Sequence, residues 1–587
     1  MYRCVLLLIV SLVMVLGSGR NTARALDEKS SLLSTLPKET TLLLCASDVK
    51  ALLEKLRKSQ LYRLKDHPGV QDLAKRFTGE LNQEVVGEIG FDALELLAVT
   101  GGELVFAIGS LDPFAIAIGN ALGDGHPLEI QPDSIPALLA ADVGDRVAVV
   151  HQKLETLFDQ AEKKGAKRED RDFQGGKIVH LRLEGASDSS DSADERKAGG
   201  DREASKKSNG VSVYFGTLGS RVYCSLHRPF LERTMDNKDS PGAESLAANR
   251  HFQETLEMTG VGDTFFYVDV KRLTTSIGKA VSATLFAFLW ENFDALVFGK
   301  RFNNVAVSFS LERRGIRHSF FANNSGASDG LLGLFKADSQ PAAPPQAVPA
   351  GAKIYTATAF NPDNLKKIIN AVFHATRASQ GQPVILDQVF EEAVGVTLTM
   401  IAGALGNRVV VFSGAPQHDA CAYLVAINDE ALIKRVLDKV AENPSFDLQV
   451  EKVRERNIYS LDLGEAGEVV MVVVRGRVIV AGSKAEILSL IGRQNGSIPG
   501  LAGADSYKKV AGVVPPQVAF VFYTAPTYMR SYLGSLVAGT RGLGTDDEAL
   551  GDSLAAFGRV IGSFVSHGDW EGAGLRGDGW LYYAESE

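Results

Sequence analysis

Leu36-Pro37-Lys38-Glu39-Thr40-Thr41-Leu42-Leu43-Leu44-Cys45-Ala46-Ser47-Asp48-Val49-Lys50-Ala51-Leu52-Leu53-Glu54-Lys55-Leu56 decides how this chain is read. A proline-marked turn leads into a short apolar strand, then a polar break, then a helix. Val49, Leu52, Leu53 and Leu56 recur at i, i+3, i+4 and i+7, which puts one apolar stripe against a core. Ser47 or Asp48 caps that helix, since either side chain can accept an N–H of the first turn. A similar phrase returns at Val348-Pro349-Ala350-Gly351-Ala352-Lys353-Ile354-Tyr355-Thr356-Ala357-Thr358-Ala359-Phe360-Asn361-Pro362-Asp363-Asn364-Leu365-Lys366-Lys367-Ile368-Ile369.

Outward from these openings the elements recur in one order. Residues 101–109 are answered by 406–414, 138–164 by 421–441, 177–183 by 457–463 and 211–225 by 468–481. Further on, 246–252 are answered by 501–507, 263–270 by 517–524 and 315–322 by 574–584. Gly109 and Gly414 stand 305 positions apart, but Arg221 and Arg477 only 256. The proline-marked stretch 111–137, read as a loop, and the segment 185–210 absorb the difference, and loops accept length changes cheaply. Runs 138–143 and 147–150 read as strands, followed by a helix at 151–164.

The expected fold class is therefore α+β: two tandem homologous copies, each a mainly antiparallel sheet with helices packed on one face. The first copy spans 36–322 and the second 348–587. Residues 323–347, rich in Gly, Ser, Ala and Pro, read as a linker in which 331–335 is an apolar patch. The opening strand–helix–strand pattern allows a local parallel pair. Residues 185–210 carry Ser, Asp, Glu, Lys and Gly with almost no apolar side chain and read as a disordered acidic insertion. Asp188, Asp191, Asp194 and Glu195 within it lack the Gly-turn ligand loop of a calcium site.

The N-terminus has the three parts of a secretory signal peptide. Arg3 is followed by an apolar run at 5–16 and by Ala23-Arg24-Ala25, so cleavage is expected after Ala25 and residues 1–25 leave as a signal peptide. An uncleaved anchor is the other reading. The run is short for a membrane span, and no later segment is apolar for about 18 residues, so no transmembrane segment is expected after cleavage. The expected location is periplasmic or extracellular. A net charge of -9 argues against nucleic acid as a partner, since phosphate backbones select concentrated Lys and Arg. Once Cys4 leaves, Cys45, Cys224 and Cys421 remain, isolated in apolar runs, and read as small hydrophobes in place of a disulfide framework.

Catalytic patterns are sparse. There is no G-x-x-x-x-G-K-[ST], H-E-x-x-H or C-x-x-C. Gly326-Ala327-Ser328-Asp329-Gly330 matches G-x-S-x-G but sits in the linker, without the strand-to-helix turn of a nucleophile elbow. Residues 216–220, Gly-Thr-Leu-Gly-Ser, read as a hairpin turn. The ten His (67, 126, 151, 180, 227, 251, 318, 374, 418 and 567) do not cluster along the chain. Arg576-Gly577-Asp578 reads as part of a Gly-rich turn. Asn323-Asn324-Ser325 and Asn495-Gly496-Ser497 are glycosylation sequons that matter only in a eukaryotic secretory pathway. No catalytic, cofactor-binding or metal-binding residue is assigned, and no cofactor is expected.

Leu36-Pro37 with Asp48-Val49, then Leu61-Tyr62-Arg63-Leu64 and His67-Pro68-Gly69-Val70-Gln71, and finally Val348-Pro349 with Ile354-Tyr355, resemble a family of exported bacterial proteins. That family is catalogued only as a domain of unknown function. The resemblance implies an envelope location and brings no catalytic residues. The expected function is a non-enzymatic binding or structural module of the cell envelope, its partner an envelope protein. One alternative is a carrier of an apolar ligand such as lipid, lined by apolar helices at 273–293 and 528–564. The other is a hydrolase whose residues come from distant loops.

Overall fold

A computed structural model describes residues 31–68, 71, 100–124, 134–183, 211–238, 242–282, 290, 297, 301–326, 330–377, 386–413, 421–444, 446–453, 455–464, 467–493, 499–529, 531 and 556–584. The segment 5–16, the cleavage site after Ala25, the insertion 185–210 and much of 273–293 and 528–564 lie outside the described residues. Two compact units divide the chain: Met1–Arg57 with Asp72–Thr284, and Lys58–Gln71 with Leu285–Glu587.

The first unit is built on β1 (Leu42–Ala46), β2 (Leu104–Ile108), β3 (Ala137–Asp142), β4 (Lys167–Phe173), β5 (Gly176–Leu183), β6 (Val211–Leu218), β7 (Arg221–Ser225) and β8 (Thr264–Asp269). Their order across the sheet is β8-β1-β2-β3-β7-β6-β5-β4, antiparallel at every pairing. Ala46 faces Leu104 and Leu42 faces Ile108, so β2 enters at the end where β1 leaves and the expected parallel pair does not form. The helix Val49–Lys58 is capped by Asp48, whose Oδ1 accepts from the Ala51 amide at 2.8 Å.

The second unit contains β9 (Asn304–Glu312), β10 (Gly315–Asn323), β11 (Gln340–Pro341), β12 (Ile354–Ala359), β13 (Leu405–Ser413), β14 (Cys421–Ile427) and β15 (Leu448–Val453). It continues with β16 (Arg456–Asp462), β17 (Glu468–Val474), β18 (Arg477–Ala481), β19 (Gln517–Val518), β20 (Phe520–Thr524), β21 (Ile561–Glu571) and β22 (Gly574–Tyr583). The order is β9-β10-β22-β21-β20-β12-β13-β14-β18-β17-β16-β15, again antiparallel throughout, with β11 and β19 as a separate short pair.

From β20 onward this is the strand order of the first unit from β8 onward. The registers agree as well. Ala141 lies between Leu104 and Val222, and Val425 between Val409 and Val478. Pro37 bridges to Ser245 and Pro349 to Gly500. The Leu246 amide donates to Leu36 O at 2.7 Å, and the Leu501 amide to Val348 O at 2.9 Å. Phe252 meets Tyr267 edge-on at 5.0 Å and 87°, and Tyr507 meets Tyr523 at 5.2 Å and 83°. Taken by register, 263–270 answers a stretch two residues later than 517–524, because Leu42 faces Val268 and Ile354 faces Thr524.

Helices cover both faces of each sheet, which corrects the one-face expectation. In the first unit Phe215 packs on Phe158 of the helix Val147–Lys163, while the next residue, Gly216, lies under Leu231 and Met235 of the helix Arg228–Asp236. Adjacent strand residues point to opposite faces, so these helices lie on opposite sides. In the second unit Val473 and Val478 belong to the core under Leu432 and Ile433, while Val472 and Ile479 belong to the core under Ile487 and Leu490. Central strands buried on both faces read as apolar runs without alternation.

Other expectations change locally. The stretch 111–137 holds the helix Asp112–Asp124, with Pro113 inside its first turn, where a missing N–H costs nothing. Val147 to Val150 form the first turn of the helix Val147–Lys163, where Val150 shares a buried face with Leu154, Leu157 and Phe158. Residues 323–347 are not a bare linker. The short 3₁₀ helix Leu331–Phe335 is held by Asn364 Nδ2 donating to Gly333 O at 2.6 Å and Trp570 Nε1 donating to Phe335 O at 2.8 Å. Ile561 to Phe564 belong to β21, so the expected helical reading of 528–564 ends before them.

The hairpin of β9 and β10 belongs to the second compact unit, within Leu285–Glu587. It joins by β10 pairing with β22, with Ser319 opposite Asp578. Glycines make this seam possible. A Cβ at Gly577 would stand 2.3 Å from the Phe320 ring, and one at Gly568 2.5 Å from the Phe520 ring.

Candidate functional site

Three polar groupings stand out against the apolar cores. The first is a row across β2, β3 and β7 at the end of the first sheet. Asp142 faces Arg221, and its amide donates to Glu103 O at 2.8 Å, so Glu103, Asp142 and Arg221 stand side by side. The Glu103 side chain is only 8% exposed but well supplied with donors. Ser31 Oγ reaches its two oxygens at 3.0 and 3.1 Å, the Leu32 amide donates at 2.6 Å and Cys45 Sγ at 3.5 Å. Burial raises the Glu103 pKa, and its donors together with the Arg221 charge oppose that rise. Burial, with Glu103 beside it, pushes the Cys45 thiol up, which disfavours the thiolate.

The second grouping occupies the same place in the second sheet. Ala426 faces Arg477, and Arg408 lies beside it on β13, across a register shift that falls between Leu405 and Val409. Arg408 Nη2 donates to Pro341 O at 2.7 Å and Ala343 O at 3.1 Å. Burial and the neighbouring Arg408 charge lower the Arg477 pKa. The row reads Glu–Asp–Arg in the first unit and Arg–Ala–Arg in the second.

The third grouping is the seam between β10 and β22. Ser319 Oγ donates to Asp578 Oδ1, and Arg317 Nη2 approaches the same oxygen at 3.4 Å. His567 lies opposite Asp578 on β21, its pKa lowered by burial and held up in part by Asp578. On the other face His318 Nε2 and Ser566 Oγ lie 3.0 Å apart across Gly579, where a Cβ would stand 2.4 Å from the imidazole. The His318 ring stacks on Phe564 at 5.2 Å and 7°. Burial pulls its pKa to about 4, so it is neutral near pH 7.

His318 and Ser566 have the residue types of a nucleophile and base, but their arrangement serves packing. The two residues are 8% and 5% exposed, which leaves a substrate carbonyl no approach to Oγ. Asp578, the carboxylate that would orient the imidazole, lies on the opposite face of the sheet, because neighbouring strand positions alternate. His318 and His567, 249 positions apart in the chain, point to opposite faces of the sheet, and the charge of His567 acts on His318 across it.

The remaining sequence candidates fall in structural roles. Thr217 and Leu218 pair within the β6–β7 ladder, and Gly219 and Ser220 form its turn, with Gly219 at φ 64°. Arg576, Gly577 and Asp578 lie inside β22, which corrects their reading as a turn: each pairs on both sides with β10 and β21. Ala327, Ser328 and Asp329 of the G-x-S-x-G match, His126, the pair His418 and Asp419, and the second sequon lie outside the described residues. His227 caps the helix Arg228–Asp236 by accepting from the Phe230 amide at 3.2 Å. His180 stacks on Tyr214 at 4.5 Å. Cys45, Cys224 and Cys421 are unbonded to one another. Among the described residues no group of three or more His, Cys, Asp or Glu is placed to hold a metal ion, and no helix is long and apolar enough to cross a membrane. No family model, curated protein or solved structure matches this chain.

Proposed function

We propose that this chain is an exported, non-enzymatic binding module of the cell envelope, built as two tandem copies of one α+β fold. The observation that carries the reading is a shared plan with unlike polar rows. Strand order, register, the Pro37 and Pro349 bridges and the edge-on aromatic pairs repeat. The row that holds Glu103, Asp142 and Arg221 in one unit becomes Arg408, Ala426 and Arg477 in the other. The first row sets carboxylates against a guanidinium within the chain and serves folding. The second holds two guanidinium groups and no carboxylate, which leaves it available to an acidic partner.

Export rests on the apolar run at 5–16 and on Ala23-Arg24-Ala25. The non-enzymatic reading rests on the covered state of the most reactive groups, His318 with Ser566 and Cys45 with Glu103. Native mass spectrometry of the chain recovered from its own envelope fraction, against a denatured control, tests the proposal. The expected result is a chain beginning at Leu26 that carries a non-covalent mass or a stable protein partner only under native conditions. A lipid in that mass would favour the apolar carrier. A cytosolic chain retaining residues 1–25 would overturn export. A bare monomer that hydrolyses a model ester, with the activity lost in S566A, would overturn the non-enzymatic reading.

A further inference from the structure

We propose that Arg408 and Arg477 form an oxyanion-binding site in the second unit, taking a single phosphate or carboxylate group. This deepens the binding reading and rests on it.

The two arginines sit on one face of the sheet, with small side chains on the strands to either side of Arg408 and the Tyr355 and Tyr507 phenols near it. Ala426 separates them, and Ala359 flanks Arg408 on the other side. Like charges held in half-buried positions repel more strongly than in water, because less solvent screens them. Their mutual effect reaches as far as the acid–base equilibrium of Arg477. Such a pair is expected to recruit a counter-charge.

No internal counter-charge is supplied among the described residues. Glu430, which accepts from the Gly476 amide at 3.0 Å, is also paired with Lys434 at 2.7 Å. The nearby phenols do not serve either. Tyr355 donates its hydroxyl to Ala342 O at 2.9 Å, and burial raises Tyr507 to about 12 despite Arg408, so both stay neutral. In the first unit the corresponding row supplies Glu103 and Asp142 from the chain itself.

Donors for an oxyanion remain. Arg408 commits Nη2 to two carbonyls and also meets the Tyr355 hydroxyl, while its Nε has no acceptor. The Arg477 guanidinium donates no hydrogen bond among the described residues. A guanidinium is a planar fork that matches carboxylate and phosphate geometry, and two of them around one oxyanion combine charge with direction.

The test is thermal unfolding of the mature full chain in inorganic phosphate, in acetate and in chloride at matched ionic strength, for the natural protein and for R477Q. R477Q is the deciding variant, because Arg408 also holds the 341–343 carbonyls. The expected result is a saturable rise in Tm of about 3 °C in phosphate or acetate, absent in R477Q. In chloride R477Q is expected to unfold at the same temperature as the natural chain or higher, since a repulsion is removed. Whichever of phosphate and acetate acts at the lower concentration names the group. No anion dependence in the natural chain, an equal shift in R477Q, or a lower Tm of R477Q in chloride would each overturn the site. Those results would leave the broader binding reading standing if native mass spectrometry still finds a partner.

Discussion

The rows Glu103–Asp142–Arg221 and Arg408–Ala426–Arg477 lie at the same place in two eight-strand runs of the same order, and they differ in charge. Around them the packing is alike: Phe252 on Tyr267 in one unit, Tyr507 on Tyr523 in the other. The contrast shows which constraints bind. An edge-on aromatic pair under a covering helix must keep its size and angle, because interiors are close-packed. A polar row at the end of a sheet must only balance its charge, and that balance can come from the chain or from outside it.

The harshest way to break the comparison is to give the first row the charge of the second. E103R places a cation in a buried site beside Arg221 and withdraws the acceptor of Ser31, the Leu32 amide and Cys45. The expected loss is near the upper end of about 3–5 kcal/mol, read by denaturant unfolding. A loss below about 1 kcal/mol would mean that the carboxylate is not structural. Next come the matched truncations F252A and Y507A, each expected to cost about 3–4 kcal/mol. Strongly unequal losses would show that the two cores only look alike.

His318 sharpens the comparison at the seam, where β10 has a His over Gly579. Its pKa lies near 4 in the folded chain and at 6.5 in the unfolded one. The unfolded state therefore binds the proton more readily. Stability is fully present above about pH 6.5 and is lost as pH falls toward 4, by about 3 kcal/mol in total. His567 is shifted the same way, so H318Q should reduce the acid loss without abolishing it. Unchanged acid sensitivity in H318Q would contradict the burial of that imidazole. The smallest expected effects are at the helix caps. D48A should cost about 1 kcal/mol, and N361A somewhat more, since Asn361 Oδ1 accepts from the Asn364 amide at 3.3 Å at the start of the helix Pro362–Arg377 and its Nδ2 also donates to Lys336 O at 3.0 Å.

Much of the strand plan is legible in the sequence because alternation and turn glycines survive where a face meets solvent. β9 and β10 read directly, as does β5. β4 does not: Lys167 to Phe173 is an edge strand of mostly exposed charged residues, so it lacks the apolar alternation that marks strands. Four residues with three valines at 147–150 suggest a strand, yet the helical spacing onward to Leu154 and Phe158 decides the matter. Pro113 suggests a loop but opens a helix. Pairing across long separations leaves no local trace. Nothing near Ser319 announces Asp578, and nothing near Arg408 announces Arg477. Both meetings follow from register, which each strand acquires only from its neighbours.

Register at the seam is the most direct place to test the account. Ser319 faces Asp578, the position that answers it when Gly315 is matched to Gly574 and Glu312 to Glu571, so the two hairpins meet about a point of twofold symmetry. The measurement is disulfide formation in S319C/D578C and S319C/G577C under mild oxidation, mapped by peptide mass spectrometry. The expected result is a 319–578 link in high yield and almost none at 319–577, since Gly577 points to the other face beneath Phe320. A 319–577 link formed as readily as 319–578, or no link at either, would contradict the register of the seam between β10 and β22.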